Sequence, residues 1–263
     1  MNHEELINGL KKLFLYEISK EYIEISKNAE KERKTYEQYL AKLVKIELMA
    51  KHQQKVKRLI SQAKLPLSKV LETYNFDLRT GITAQQFNRL TEGDFVRQAT
   101  NIVFFGSYGV GKTHLAIVLT ERLCGLGFKC LFTSTHALIN QLLSAKRDLT
   151  LASLFKRLDN YDVITCDELG YIPHDQDGAD LFFQLISQRS ERKSFIITTN
   201  LTYSEWDRVF LNPITTAAAV DRIIYKCETF NIGGENWRGM MAKKRMTKKE
   251  SEKELTEPAP AIN

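Results

Sequence analysis

The 263-residue sequence lacks the features that mark membrane, secreted and metal-binding proteins. No run approaches 18 consecutive apolar residues, which excludes an ordinary transmembrane helix. The first ten residues carry acidic side chains where a secretory signal carries positive charge. The four cysteines contain no CxxC pair, so neither a zinc site nor a disulfide framework is indicated. We therefore expect a cytoplasmic protein with no membrane partner and with buried thiols at Cys124, Cys130, Cys166 and Cys227.

Basic charge is concentrated in one part of the chain. The net charge is +6, but residues 31–70, the basic segment, hold 11 Lys or Arg and 3 Asp or Glu, a local charge of +8. Two interpretations fit this segment. It attracts a phosphate backbone, because each neutralised phosphate releases counterions, or it forms the solvated face of a Lys-rich helix.

Helical periodicity dominates the first part of the sequence. Apolar residues recur at three- and four-residue steps over residues 6–25 and again over 32–63, which predicts two amphipathic helices. Pro66 is expected to end the second helix. These helices predict a small all-helical, basic N-terminal domain over residues 1–80, which binds DNA or a partner. A connector follows over residues 81–100, with Thr83 and Thr91 as helix caps.

The pattern changes at residue 101 to strands that alternate with helices. Apolar runs at 102–105, 129–132, 163–166 and 195–198 predict strands of a mostly parallel sheet with helices on both faces. Two helices, at 136–148 and 150–158, are predicted between the second and third strands. We assign residues 101–240 to this α/β domain. The charged residues 241–263 have too little apolar content to pack, which predicts a disordered tail.

The loop after the first of these strands has the sequence of a phosphate-binding loop. Residues 106–113, GSYGVGKT, fit the pattern GxxxxGK[ST] between a strand and a helix, and are called the phosphate loop below. Its glycines let backbone N–H groups surround an oxyanion at the positive end of the helix. Lys112 is expected to reach the outer phosphates, and Thr113 to bind Mg²⁺. The predicted ATP-binding residues here are Gly106, Ser107, Tyr108, Gly109, Val110, Gly111, Lys112, Thr113 and His114.

Polar residues at two further strand ends complete a predicted site. Asp167 and Glu168, the acidic pair, end the strand at 163–166 and are expected beside the phosphate loop, since ligands bind at strand carboxyl ends. Asp167 is predicted to hold Mg²⁺, and Glu168 to orient and deprotonate the attacking water. Asn200 follows the last predicted strand and is expected to position that water or to sense the γ-phosphate.

Four stretches together resemble one family over nearly the whole chain. They are GSYGVGKTHLA, CDELGYIP, GADLFFQLISQRSERKSFIITTNLTYSEW and AVDRIIYKCETFNIGGENWR. The sequence is similar to the IstB family, ATP-binding helper proteins of bacterial insertion sequences, which are AAA+ ATPases close to DnaC-like helicase loaders. Ser107 and Tyr108 replace the small or proline residues usual in the family's loop. Because these positions contribute backbone groups, binding is expected to be retained.

The resemblance implies the AAA+ P-loop NTPase fold and roles for three side chains. Asn200 corresponds to the family's first sensor. Arg222 resembles the arginine finger that one subunit presents to its neighbour's γ-phosphate. Arg238 resembles the second sensor, which contacts nucleotide within the same subunit. A guanidinium suits both roles because it stays charged and donates two hydrogen bonds to phosphate oxygens.

The resemblance also implies a function. We expect an ATPase, with ATP and Mg²⁺ as cofactors, that forms a homo-oligomer on duplex DNA, presents target DNA and stimulates a cognate transposase. Lys51, Lys55, Lys57 and Arg58 are the candidates for contact with the DNA backbone, with little sequence preference. Two alternatives stay open: a DnaC-like helicase loader that binds single-stranded DNA, and a nucleotide-dependent adaptor with negligible turnover.

Overall fold

The computed structural model describes residues 2–66, 74–170 and 175–234. The chain divides into two compact units, Met1–Leu59 and Ile60–Asn263. In chain order the helices and strands are α1 His3–Lys12, α2 Tyr16–Lys31, α3 Tyr36–Gln62, β1 Arg79–Thr80, α4 Ala84–Thr91, α5 Asp94–Arg97, β2 Asn101–Phe105, α6 Lys112–Gly125, β3 Cys130–Ser134, α7 Thr135–Arg147, α8 Leu151–Asp159, β4 Val163–Leu169, α9 Gln176–Arg189, β5 Ser194–Thr199, α10 Asp207–Phe210, α11 Pro213–Ile224, β6 Cys227–Asn231 and β7 Gly233–Gly234. No helix within these described ranges is long and apolar enough to cross a membrane.

The first unit is helical, as predicted, but its first predicted helix is two helices. Ile18, Ile25 and Leu43 form its buried core. The helical conformation is interrupted between α1 and α2, where Phe14 has a left-handed φ of 58°. The prediction of one helix over residues 6–25 is therefore wrong. Apolar residues continue through the break, so their spacing gives no sign of a single left-handed residue.

A carboxylate from α3 stabilises the start of α2. The N-cap residue of α2 is Leu15, whose side chain cannot accept a hydrogen bond from the first turn. Glu47 instead accepts the backbone N–H groups of Glu17, at 2.8 Å, and Ile18, at 3.0 Å. Glu47 is 4% exposed, and a negative charge at this position also complements the helix dipole. Helix α3 thus holds α2 by its first turn.

The second unit is built on a five-stranded parallel sheet with the strand order β3-β4-β5-β2-β6. The four predicted strands are confirmed, and so are the two helices, α7 and α8, between β3 and β4. The sequence did not predict β6, which pairs with β2 at one edge of the sheet. Three of the four predicted buried thiols are buried, and Cys227 is partly buried.

The division between the units falls at a different place from the predicted domain boundary at residue 80. The N–H of Phe132 in β3 donates to the carbonyl of Ala63 at 2.7 Å. Farther along, β1 pairs with β7 through Thr80 and Gly233. These contacts place the described residues from Ile60 to Thr80 with the sheet.

Of the two helix caps predicted in the connector, one is confirmed and the other is wrong. Thr83 caps α4, where its hydroxyl accepts the N–H of Gln86 at 3.1 Å. Thr91 instead lies at the end of α4 and donates to the carbonyl of Asn88. The expectation that Thr91 is a cap is therefore wrong, because Gly93, with a φ of 77°, begins α5.

A fully buried arginine fastens the amino-terminal ends of β4 and β5. The Arg189 guanidinium donates to the carbonyls of Leu158, at 2.9 Å, and Tyr161, at 3.1 Å. It also lies 5.2 Å from the centre of the Phe195 ring. Burial lowers the pKa of Arg189 to about 10, so the side chain remains charged at neutral pH. Its hydrogen bonds connect the end of α8 and the segment just before β4 to the end of α9.

Replacement of Arg189 by leucine is expected to destabilise the second unit by about 3 kcal/mol, because it removes the hydrogen bonds that this buried cation donates to the carbonyls of Leu158 and Tyr161. The free energy of unfolding in urea measures this loss. Arg192→Leu is the matched control, since Arg192 is exposed and pairs with Asp159 at 3.1 Å on the surface. That control should cost no more than about 1 kcal/mol. Equal losses in the two variants would contradict the anchoring role of Arg189.

Candidate functional site

Three segments that the sequence singled out lie at the carboxyl ends of three adjacent strands. The phosphate loop follows β2, the acidic pair lies near the end of β4, and Asn200 follows β5. These strands are neighbours in the order β4-β5-β2, and all run parallel. Their carboxyl ends therefore meet at one edge of the sheet, where ligands bind in open α/β folds.

The shape of the phosphate loop depends on two glycines. Gly106 has a φ of 147°, and a Cβ atom there would lie 2.1 Å from the carbonyl oxygen of Ile232. Gly111 has a φ of 101°, and a Cβ atom there would lie 2.7 Å from the ring of Tyr74. Both positions therefore exclude a side chain, for reasons of conformation and of space.

The start of α6 and the side chain of Lys112 form an anion site. Gly111 is the N-cap of α6 and provides no side-chain cap, so the first turn directs backbone N–H groups and the positive helix end toward the loop. The Lys112 ammonium donates to the carbonyls of Gly106, at 2.8 Å, and Ser107, at 2.7 Å. These contacts hold the cation over the loop, where it suits the phosphates of a nucleotide.

Oxygen atoms from the loop and from β4 meet beside this anion site. The Thr113 hydroxyl donates to Oδ1 of Asp167 at 2.9 Å, and Asp167 is 8% exposed. A hydroxyl and a carboxylate are hard oxygen ligands of the kind that Mg²⁺ binds together with nucleotide phosphates. The donor set therefore fits the predicted metal, and the two predicted metal ligands lie side by side.

The two remaining candidates for catalysis lie at the open side of the site. Glu168 is exposed and has a left-handed φ of 59°. Asn200 is half-buried, and its side-chain amide donates to the Tyr108 hydroxyl at 2.7 Å. Tyr108, where the sequence departs from the family's usual loop, therefore connects the phosphate loop to the end of β5.

Sequence reasoning missed two residues of this site, Tyr74 and Thr198. Tyr74 is 7% exposed, and its ring packs on Gly111 and lies 5.5 Å from the ring of His114. Burial raises the pKa of the Tyr74 hydroxyl to about 12. The only signal in the sequence was the nearby pair of aromatic residues, Tyr74 and Phe76, before β1. Thr198 contacts both members of the acidic pair.

Of the two arginines predicted to contact nucleotide, the structure describes one. Arg222 lies in α11, where its guanidinium donates to the carbonyl of Ala218 at 2.9 Å and lies 5.1 Å from the centre of the Phe183 ring. Neither of these two contacts involves a residue of the phosphate loop. Arg238 lies outside the described residues. The roles of both stay predictions.

The four lysines and arginines predicted to contact DNA are exposed on α3. Lys51, Lys55 and Arg58 are three or four residues apart and therefore share one face of the helix. Lys57 lies at least about 100° around the helix from each of them. Lys51 also pairs with Glu47 at 3.6 Å.

A protein-family model matches most of the chain. The family model described as "IstB-like ATP binding protein" matches residues 8–246. The chain belongs to the IstB-like ATP-binding family. An ATP-binding protein of insertion-sequence type from Sinorhizobium fredii is 34% identical over 82% of this chain and 72% of its own length. An insertion sequence IS21 ATP-binding protein from Pseudomonas aeruginosa is 32% identical over 87% of this chain and 86% of its own length.

The fold agrees with that membership. The crystal structure of DnaI matches 68% of this chain and 98% of its own length, with a TM-score of 0.54 and 21% sequence identity. This IstB-like protein has the AAA+ P-loop fold, with a parallel sheet and a helical N-terminal region. Like its family it binds ATP and is an ATPase of the AAA+ type.

Proposed function

We propose that this IstB-like protein is an ATP-dependent, DNA-binding transposition helper that assembles on duplex DNA, presents target DNA and stimulates a cognate transposase. The observation that carries this proposal is the similarity, over most of the chain, to proteins named as insertion-sequence ATP-binding proteins. In this proposal ATP hydrolysis is the switch that loosens the assembly.

The nucleotide is held by the phosphate loop and its neighbours. Lys112 and the N–H groups at the start of α6 neutralise the phosphate oxygens. Thr113 and Asp167 would hold Mg²⁺, which would supply charge stabilisation to the phosphates of the nucleotide. The hydrogen bond between Thr113 and Asp167 supports this pairing, because it already places the two oxygen ligands at 2.9 Å.

Hydrolysis depends mainly on positioning and on charge stabilisation, since phosphoryl transfer needs little covalent chemistry from the protein. Glu168 accepts a proton from the attacking water and orients it. Asn200 directs its side-chain amide toward the same water or toward the γ-phosphate, and the Tyr108 hydroxyl holds that amide at the mouth of the loop.

Arg222 is the residue that connects ATP hydrolysis with assembly in this proposal. Arg222 lies half-buried on α11, where its guanidinium contacts the carbonyl of Ala218 and the ring of Phe183. An arginine supplied by a neighbouring subunit would complete the charge stabilisation, so that an isolated chain has an incomplete active site. Nucleotide held between subunits then favours the assembled state by mass action. Arg238 remains the candidate second sensor.

Duplex DNA is the proposed ligand of the basic segment. The exposed face formed by Lys51, Lys55 and Arg58 suits the evenly charged phosphate backbone and has no base-reading arrangement. Affinity for DNA should therefore fall steeply with salt and vary little with sequence.

The assembly is tested by electron microscopy of the purified protein with duplex DNA and a nonhydrolysable ATP analogue, with steady-state hydrolysis measured in parallel. We expect ordered oligomers on DNA only with nucleotide, and we expect Arg222→Ala to lower ATP turnover by about 100-fold while the isolated chain still binds ATP. Arg208→Ala is the matched control, because Arg208 is exposed on α10 and pairs with Glu205 at 3.4 Å.

Three outcomes would count against the proposal. A protein that stays monomeric at saturating nucleotide and DNA contradicts assembly, and undiminished turnover by Arg222→Ala contradicts the shared site. Preference for single-stranded DNA, with capture of a replicative helicase and no effect on strand transfer by the transposase, would favour a helicase loader instead.

A further inference from the structure

The acidic pair lies at an irregularity between β4 and β5. The two strands pair in regular parallel register from Val163 and Ser194 as far as Cys166 and Ile197. The next pair is Leu169 with Thr199. Between these two pairs β4 has two residues, the acidic pair, and β5 has one, Thr198. This is a bulge, in which one strand carries an extra residue and its backbone groups lose their regular partners.

Thr198 supplies the hydrogen bonds that the interrupted ladder lacks. Its hydroxyl oxygen accepts the backbone N–H of Glu168 at 2.9 Å, and its hydroxyl donates to Oδ1 of Asp167 at 2.5 Å. Thr198 is 1% exposed, so water does not compete for either bond. Both hydrogen-bonding functions of this single side chain are directed at the acidic pair.

The conformation of Glu168 explains why such support is needed. A non-glycine residue at a φ of 59° is in a sparsely populated region, which persists only where the surroundings hold it. The bond from the Glu168 N–H to Thr198 fixes this peptide and with it the direction in which the Glu168 side chain leaves the strand. On the other side, Oδ1 of Asp167 accepts from Thr198 and from Thr113 together. The Thr198 hydroxyl therefore contacts the carboxylate of Asp167 directly and the backbone of Glu168.

We propose that Thr198 is a positioning residue for ATP hydrolysis, which acts through Glu168 and Asp167 and does not itself touch nucleotide or water. This inference rests on the roles proposed above for the acidic pair. A β-branched residue that only packs in a central strand could equally be valine. The hydroxyl, and not the shape of the side chain, is therefore the group to test.

The experiment compares Thr198→Val, which keeps the shape and removes the hydroxyl, with Thr198→Ser, which keeps the hydroxyl. We expect Thr198→Val to lower kcat by about 10- to 100-fold, as misplacement of catalytic groups does, and to leave the Kd for ATP within about threefold. Thr198→Ser should recover kcat to within about threefold of the unchanged protein. Circular dichroism and the thermal midpoint confirm that each variant is folded.

Thr165→Val is the matched control. Thr165 is also a fully buried threonine on β4, and its hydroxyl bonds to that of Thr120 at 2.7 Å and not to the acidic pair. It should lose a buried hydroxyl bond and some stability while kcat stays within about twofold. A loss of kcat in Thr165→Val as large as in Thr198→Val would assign the effect to stability and overturn the inference.

A double-mutant cycle with Glu168→Gln separates this inference from the proposed role of Glu168. If Thr198 acts through Glu168, then adding Thr198→Val to Glu168→Gln should cost clearly less than it costs alone, since groups that act as a unit are not additive. Fully multiplicative losses, or an undiminished kcat in Thr198→Val beside an inactive Glu168→Gln, would overturn the inference alone. An active Glu168→Gln would overturn the role of Glu168 and this inference together.

Discussion

Replacement of Lys112 by alanine is expected to abolish ATP binding at ordinary assay concentrations. Lys112 is the one loop side chain that brings a positive charge to the outer phosphates, and its ammonium is already held over the loop by the carbonyls of Gly106 and Ser107. Loss of two charge-assisted hydrogen bonds from the Lys112 ammonium to phosphate oxygens corresponds to a loss of ATP affinity of about 1,000-fold. Isothermal titration calorimetry with ATP and Mg²⁺ measures the change directly.

The control for this experiment is Lys146→Ala. Lys146 is exposed at the end of α7 and pairs with Asp177 at 2.8 Å, so its removal takes away the same charge from the same unit without touching the loop. ATP affinity should stay within about twofold of the unchanged protein, since exposed charges act weakly at a distance. If Lys112→Ala bound ATP with unchanged affinity, the anion site would have to be assigned to other groups.

Replacement of Glu168 by glutamine is expected to separate ATP binding from ATP hydrolysis. The amide has nearly the same size as the carboxylate but cannot accept the proton of the attacking water, so kcat should fall by about 1,000-fold. The Kd for ATP should change little, because Glu168 is exposed at the open side of the site and contributes no ligand to the loop. Under the proposed function this variant should accumulate on duplex DNA in the assembled state, which sedimentation with DNA and ATP detects.

Glu191→Gln provides a closely matched control for Glu168→Gln. Glu191 is also exposed, and it has the same left-handed φ of 59°, but it lies in the turn between α9 and β5. Its replacement removes the same charge from the same backbone conformation, and turnover should be unchanged. Undiminished hydrolysis by Glu168→Gln would remove Glu168 from the role of general base.

The parts of this fold that the sequence predicted are those with a strong local pattern. The four predicted strands, β2 to β5, contain continuous apolar runs because both faces of the sheet are covered, and the phosphate loop is a contiguous motif between a strand and a helix. Strand β6, at the opposite edge from β3, carries the sequence CETFN, in which only Cys227 and Phe230 are apolar. It therefore lacked the apolar run by which the other strands were recognised.

The residues that the sequence did not reveal depend on contacts between distant segments. Thr198 reads as an ordinary β-branched strand residue, and its role follows from a one-residue offset between β4 and β5 that no local pattern encodes. Tyr74 precedes Gly111 by many residues and meets it only through the fold. The same limit applies to Glu47, which caps a helix that precedes it in the chain.

The close approach of Ile232 to Gly106 has a practical consequence for engineering this protein. The carbonyl of Ile232 occupies the space of a side chain at position 106, and its N–H donates to the carbonyl of Phe105 at 2.7 Å. The backbone just beyond β6 is thus part of the wall that shapes the first bend of the nucleotide loop. A truncation that removes Ile232 would therefore be expected to disturb nucleotide binding, so shortened versions meant to bind ATP should keep the chain at least through Gly234.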